Sequence, residues 1–177
     1  MGDHVERRPL THRDRPQIVD AVHVIRMGVC EEHRVHGGNA GGHELQPQLA
    51  AHALEPDRDA GVAGMTVRAV ALPHGSDTVL GYRVGSIAYL TDAKAVPEPA
   101  RAQLAGLEVL VLNALLPRPH PLHLSIPEAV AAAQQIGARR TFLTHLTHDT
   151  THAELAARLP PGIAPAYDGL VVEVGAG

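Results

Sequence analysis

The spacing of apolar residues changes character near residue 64. From Met65 onward they recur at strand period. Thr66 to Leu72 alternates and is rich in Val, and Val79 to Val84 and Ile87 to Leu90 are short apolar runs joined by Gly85-Ser86, which predicts a hairpin. Leu107 to Asn113 (LEVLVLN) is apolar almost throughout, the pattern of a strand buried on both faces. Thr141 to Leu143 predicts another strand, and a closing strand pair is expected around Tyr167 and over Leu170 to Val174. Helices are predicted between the strands. One runs from Pro97 to Leu104, with proline near its first turn. A second is capped by Ser125, whose pairing with Glu128 is a capping box, and it stops at Gly137. It should present Ile126, Val130, Ala133 and Ile136 to the core, and a third helix should span Thr151 to Leu159. Strands alternating with helices give an α/β layered fold.

Before Met65 no such grammar holds. Apolar residues recur at neither period except over Ile18 to Met27, and His4, His12, His23, His33, His36, His43 and His52 show no repeating ligand spacing. Residues 1–63 are therefore expected to form an irregular, poorly ordered segment with at most an isolated helix, and residues 64–177 the folded part.

Composition narrows the function classes. With 177 residues the chain can bury one core, and with aromatics at 2% that core must be Val, Leu, Ile and Ala. A net charge of −4 and a pI near 6.3 provide no attractive field for nucleic acid or an anionic membrane. One cysteine, Cys30, excludes an internal disulfide and a Cys-rich zinc site. The start MGDHVERR lacks the apolar core of a signal peptide, and the longest apolar run, around Leu107 to Leu116, is too short to span a bilayer. A cytoplasmic protein is the expectation.

The candidate chemistry gathers where apolar strands stop: His74 in LPHG, Asp92 in YLTDAK, His120 and His123 in PHPLHLS, and His145, His148 and Asp149 in LTHLTHD. Imidazoles and carboxylates held at strand ends suit a divalent metal such as zinc or manganese. His120 and His152 read as surface or loop residues, and Asp168-Gly169 as a tight turn. His148 and Asp149 either orient ligands or cap the following helix.

Taken in order, LPHG, GYRVGSIAYLTDAK, LEVLVLNALLPRPHPLHLSIPEA, LTHLTHD and AYDGL resemble the metallo-β-lactamase-fold hydrolases, and within them the phosphoribosyl cyclic-phosphate phosphodiesterase branch. The resemblance covers about Met65 to Val174, the C-terminal half of that family's αββα sandwich. It implies a pair of divalent metals, zinc or manganese, with His74 and His145 as ligands and Asp92 as the carboxylate bridging them. It also implies that His123 protonates the leaving oxygen of a small phosphodiester substrate. A thioester, lactam or RNA end is the alternative substrate on the same fold.

The family's H-x-H-x-D-H motif, which supplies the rest of the metal shell, is absent from the chain. Codons open to Val24-Ile25-Arg26-Met27-Gly28-Val29 spell H-A-H-A-D-H when read on the opposite DNA strand. Val35 to Cys30 permits D-A-V-L-L-T before it, and His23 to Pro16 permits V-H-G-I-D-D-L-R after it. The N-terminal third is therefore read as an inverted coding segment. On this reading the chain is an impaired phosphodiesterase, or else an inactive remnant or a non-catalytic metal-binding or interaction protein. It should also expose apolar sheet surface through which it self-associates.

Overall fold

A computed structural model describes residues 53–174. The readings that fall on residues 1–52, including the helix over Ile18 to Met27, lie outside the described residues. The fold is a single seven-stranded sheet with strands in sequence order. The strands are β1 (Asp59–Val62), β2 (Met65–His74), β3 (Asp77–Val84), β4 (Ile87–Leu90), β5 (Val109–Asn113), β6 (Arg140–Thr144) and β7 (Ile163–Pro165). Helix α1 (Glu98–Gln103) links β4 to β5, α2 (Ile126–Ile136) links β5 to β6, and α3 (His152–Arg158) links β6 to β7. The first four strands form an antiparallel meander, and β4 to β7 are parallel.

This topology fixes which ends of the strands lie together. Parallel β4, β5 and β6 finish at one edge of the sheet. Strand β2 is antiparallel to β3, which is antiparallel to β4, so β2 finishes at that edge as well. Sequential parallel strands joined by right-handed crossovers also put their helices on one face. On that face Val70, Leu72, Ala88, Leu90, Leu110, Leu112 and Leu143 pack with Ala100, Leu104, Ala129, Ala133 and Ile136 in one core. On the opposite face Ala69, Tyr82, Tyr89, Val111 and Phe142 follow one another in cross-strand register. One helical layer on one sheet is half of an αββα sandwich, as the sequence leads one to expect.

Two expectations need correcting. The sheet begins before residue 64: Asp59–Val62 is an edge strand on β2, held partly by two hydrogen bonds from the Arg68 guanidinium to the Asp59 carboxylate, at 2.6 and 2.9 Å. The closing strand pair is absent. Strand β7 lies earlier, over Ile163–Pro165, and residues 170–174 are irregular, with the Glu173 carbonyl accepting from Arg140 at 2.6 Å. Helix α2 presents Ile126, Val130, Ala133 and Ile136 to the core as expected, with Ile126 and Val130 partly covered, and it buries Ala129 and Ala132 as well. Small alanines let this helix lie close to the leucine-rich sheet.

Both longer helices are capped as their sequences dictate. Ser125 and Glu128 form a reciprocal capping box, and Gly137 closes α2 in the left-handed region at φ 72°. Thr151 and Glu154 form a second box at α3. No helix among the described residues is long and apolar enough to cross a membrane.

Candidate metal centre

Four connections leave the shared strand edge, and each has a member of one cluster within it or at the strand end that leads into it. His74 is the last residue of β2, Asp92 follows β4, His123 lies in the β5–α2 loop, and His145 follows β6. The structure brings all four together. The His123 ring lies 4.8 Å from that of His74 and 4.9 Å from that of His145, centroid to centroid. Asp92 Oδ1 is 3.8 Å from His123 Nδ1 and 3.6 Å from His145 Nε2.

Local bonding directs these groups. Asp92 Oδ2 accepts from the Thr91 hydroxyl at 3.0 Å, which leaves Oδ1 facing the imidazoles. His74 Nδ1 lies 2.6 Å from the Asp92 carbonyl and 3.1 Å from the Leu122 carbonyl. Both partners accept only, so Nδ1 carries the hydrogen and the lone pair sits on Nε2, the state a metal-ligating histidine requires. Asp92 and His145 both adopt the left-handed backbone region, at φ 58° and 59°. Such strain in non-glycine residues persists only where the surroundings enforce it, and it is common at functional sites.

The donor set fits a divalent cation. One oxygen of Asp92 and one nitrogen each of His123 and His145 lie within 4.8 Å of one another. Bond lengths of about 2.1 Å at roughly tetrahedral angles would separate two donors by about 3.4 Å, close to the 3.6 and 3.8 Å found. His123 Nδ1 is buried and has no hydrogen-bond partner among the described residues. An orphaned buried nitrogen calls for an explanation, and a cation or a phosphate oxygen supplies one. Burial first, then the neighbouring His145 and His74, hold the His123 pKa below its ordinary value, with Asp92 opposing them. The shift favours the neutral imidazole, which has a lone pair to offer.

The remaining candidates separate. His148 is exposed, and Asp149 accepts from the Thr147 hydroxyl at 2.6 Å and faces Arg118 at 4.0 Å. The helix cap that these two residues could have provided is made by Thr151. His120, read as a loop residue, stacks on His123 with ring centroids 5.2 Å apart, and its Nδ1 accepts from the backbone of Leu122 and His123, at 3.3 Å each. His152 sits edge-on to Tyr167, away from the cluster. Sequence reasoning missed Lys94, whose ammonium bonds Glu128 at 2.7 Å and ties the Asp92 loop to the start of α2. It also missed Asn113, whose one signal was an amide ending an otherwise apolar run.

Comparison with known proteins matches this arrangement to one family. The family described as "Beta-lactamase superfamily domain" matches residues 2–146, more than half of the chain and further upstream than the motifs after Met65. A solved diphosphatase of the PhnP family is 38% identical with a TM-score of 0.65, over 67% of this chain and 46% of that one. Zinc-bound PqqB from Methylobacterium extorquens shares the fold at 17% identity and a TM-score of 0.54, over 70% of this chain and 55% of that one. A protein named octanoyltransferase from Porphyromonas gingivalis is 36% identical over 126 residues, 70% of this chain but 26% of that protein. The chain thus spans less than half the length of both the diphosphatase and the octanoyltransferase.

Proposed function

Because the chain belongs to the beta-lactamase superfamily domain family and has the metallo-β-lactamase fold, we propose that its strand-end cluster is part of a divalent-metal centre that hydrolyses phosphodiesters. The observation that carries this reading is the convergence of His74, Asp92, His123 and His145, from four separate segments, on one sheet edge. The 38% identity to a diphosphatase supports phosphate as the substrate class. The octanoyltransferase match leaves most of that protein without a counterpart here, so its name adds no acyl chemistry.

In this reading His74, Asp92 and His145 would hold zinc or manganese. Bound metal supplies Lewis acidity and a water of lowered pKa. His123 protonates the leaving oxygen. Its lowered pKa is no obstacle, because an anionic phosphate at Nδ1 raises it in the bound complex. His148 and Asp149 lie further out, where Asp149 steadies the loop after His145 through Thr147. Three protein ligands shared between two metals fall short of the three per ion usual at catalytic zinc. The H-x-H-x-D-H segment would supply the rest, and the opposite-strand reading of residues 16–35 would put it upstream, although the family match runs through those residues in the sense orientation.

The test is manganese-dependent turnover of bis(4-nitrophenyl) phosphate. The chain as written should turn over negligibly, since a lone general acid contributes only about 10²–10⁴-fold. A version with residues 16–35 replaced by the opposite-strand sequence should be active, and His123→Ala should cost it about 10²–10⁴-fold. Inactivity of the replaced version, or robust turnover by the chain as written, counts against this account of the missing ligands.

A second reading is favoured by the three-donor geometry itself. Asp92, His123 and His145 alone have the spacing of a single-ion site, in which all three would be ligands and no imidazole would be left to protonate a leaving oxygen. His123 separates the two readings: it is a ligand in this one and a proton donor in the first.

A further inference from the structure

Asn113 ends β5, fully buried. A buried amide is usually tolerated only when both its ends are bonded, and here both bond the same residue. Its Oδ1 accepts from the Ala93 N–H at 2.9 Å, and its Nδ2 donates to the Ala93 carbonyl at 3.0 Å. The side chain thereby replaces a ladder partner that the backbone no longer supplies, because the β4–β5 register ends at Leu90 opposite Leu112. Ala93 directly follows Asp92, which is held at φ 58°.

The connections run further. The Ala93 carbonyl also accepts from Leu124 N–H at 2.8 Å, and Leu124 follows His123. Asn113 lies in register with Thr144, and the next residue, Ala114, donates to the Thr144 carbonyl at 2.9 Å. Thr144 precedes His145, the other candidate ligand in the left-handed region, at φ 59°. The three segments that carry Asp92, His123 and His145 are therefore joined, one residue from each donor, at the end of β5.

We infer that Asn113 is a positioning residue for the metal centre, fixing the separation of Asp92, His123 and His145 through its two hydrogen bonds to Ala93. The inference rests on the metal-binding reading of Asp92. Asn113→Leu removes both bonds. Asn113→Asp keeps an acceptor for the Ala93 N–H but presents an oxygen to the Ala93 carbonyl. Partners that orient metal ligands typically change affinity by about 10–100-fold, so the aspartate variant should fall toward the lower end and the leucine variant toward the upper.

The experiment titrates cobalt(II) chloride into the full 177-residue chain and records affinity and visible absorption spectrum. It compares wild type, Asn113→Asp, Asn113→Leu and Asp92→Ala, with circular dichroism giving the folded fraction of each. The expected result is that Asp92→Ala abolishes the cobalt spectrum, while both Asn113 variants, corrected for folded fraction, bind more weakly with an altered spectrum. If Asp92→Ala loses cobalt but both Asn113 variants match wild type, the inference is overturned while the metal reading stands. It is also overturned if their loss merely tracks the unfolded fraction, since Asn113 would then be an ordinary core residue. A wild type that binds no cobalt, or binds it equally without Asp92, defeats the metal reading and the inference with it.

Discussion

At the scale of single residues, two of the four non-glycine residues at positive φ among the described residues, Asp92 and His145, are also candidate ligands. Asp92 and His145 carry side chains in a backbone region that costs an L-residue about 1–2 kcal/mol, and each offers a donor atom to the same cluster. The strain therefore belongs to the position and not to the carboxylate or imidazole it bears. Asp92→Gly and Asp92→Ala both delete the carboxylate, but glycine adopts φ 58° without penalty. Denaturant unfolding should find the glycine variant more stable than the alanine variant by about 1 kcal/mol, and His145→Gly should exceed His145→Ala likewise. Equal stabilities would mean that the loops relax on substitution and store no strain. Metal-capable groups after apolar runs are conspicuous in sequence, but they included His120, His148 and Asp149, and it was the family resemblance that singled out His74, Asp92, His123 and His145. Asn113 was not conspicuous, because its role depends on a residue twenty positions earlier that only the folded sheet brings near.

At the scale of elements, the β5–α2–β6 unit carries His123 and leads into His145, and its charges give it a pH signature. Hydrogen bonds from Lys94, then from the Ser125 backbone and hydroxyl, lower the Glu128 pKa from 4.5 to about 2. A depressed carboxylate stabilises the fold fully above its unfolded value, and that stabilisation fades as pH falls through the folded one. The stability difference between wild type and Glu128→Gln should thus be constant above pH 4.5 and shrink progressively toward pH 2. The carboxylate is 39% exposed, so added salt should weaken the Lys94 contribution. A difference that is flat across this range would remove the carboxylate from the account. The same elements show what was legible in sequence. Strands β2 to β6 and the caps at Ser125 and Gly137 follow from apolar period and local chemistry, which the fold leaves intact. Strand β7 was hidden because it is three residues long and bounded by Pro-Pro-Gly and proline. Leu170 to Val174 has strand composition but no strand beside it to pair with among the described residues, and pairing decides a strand. Strand β1 was diluted by Asp59 and Gly61, and it forms because Ala63 and Gly64, at φ 50° and 79°, turn the chain back so that Asp59–Val62 pairs with Met65–Arg68 on the free edge of β2.

At the scale of the whole molecule, one helical layer on one sheet presents four loops at a common edge, and the direction of β2 relative to β4 decides that His74 joins them. In the proposed function this edge holds metal through Asp92 and His145 while His123 is kept for proton transfer. Calorimetric titration of zinc into wild type, Asp92→Ala, His145→Ala and His123→Ala separates these roles. The first two substitutions should each weaken binding at least tenfold, and His123→Ala should leave affinity within a few-fold of wild type. Zinc bound as tightly without Asp92, or lost as fully without His123 as without His145, would contradict this assignment.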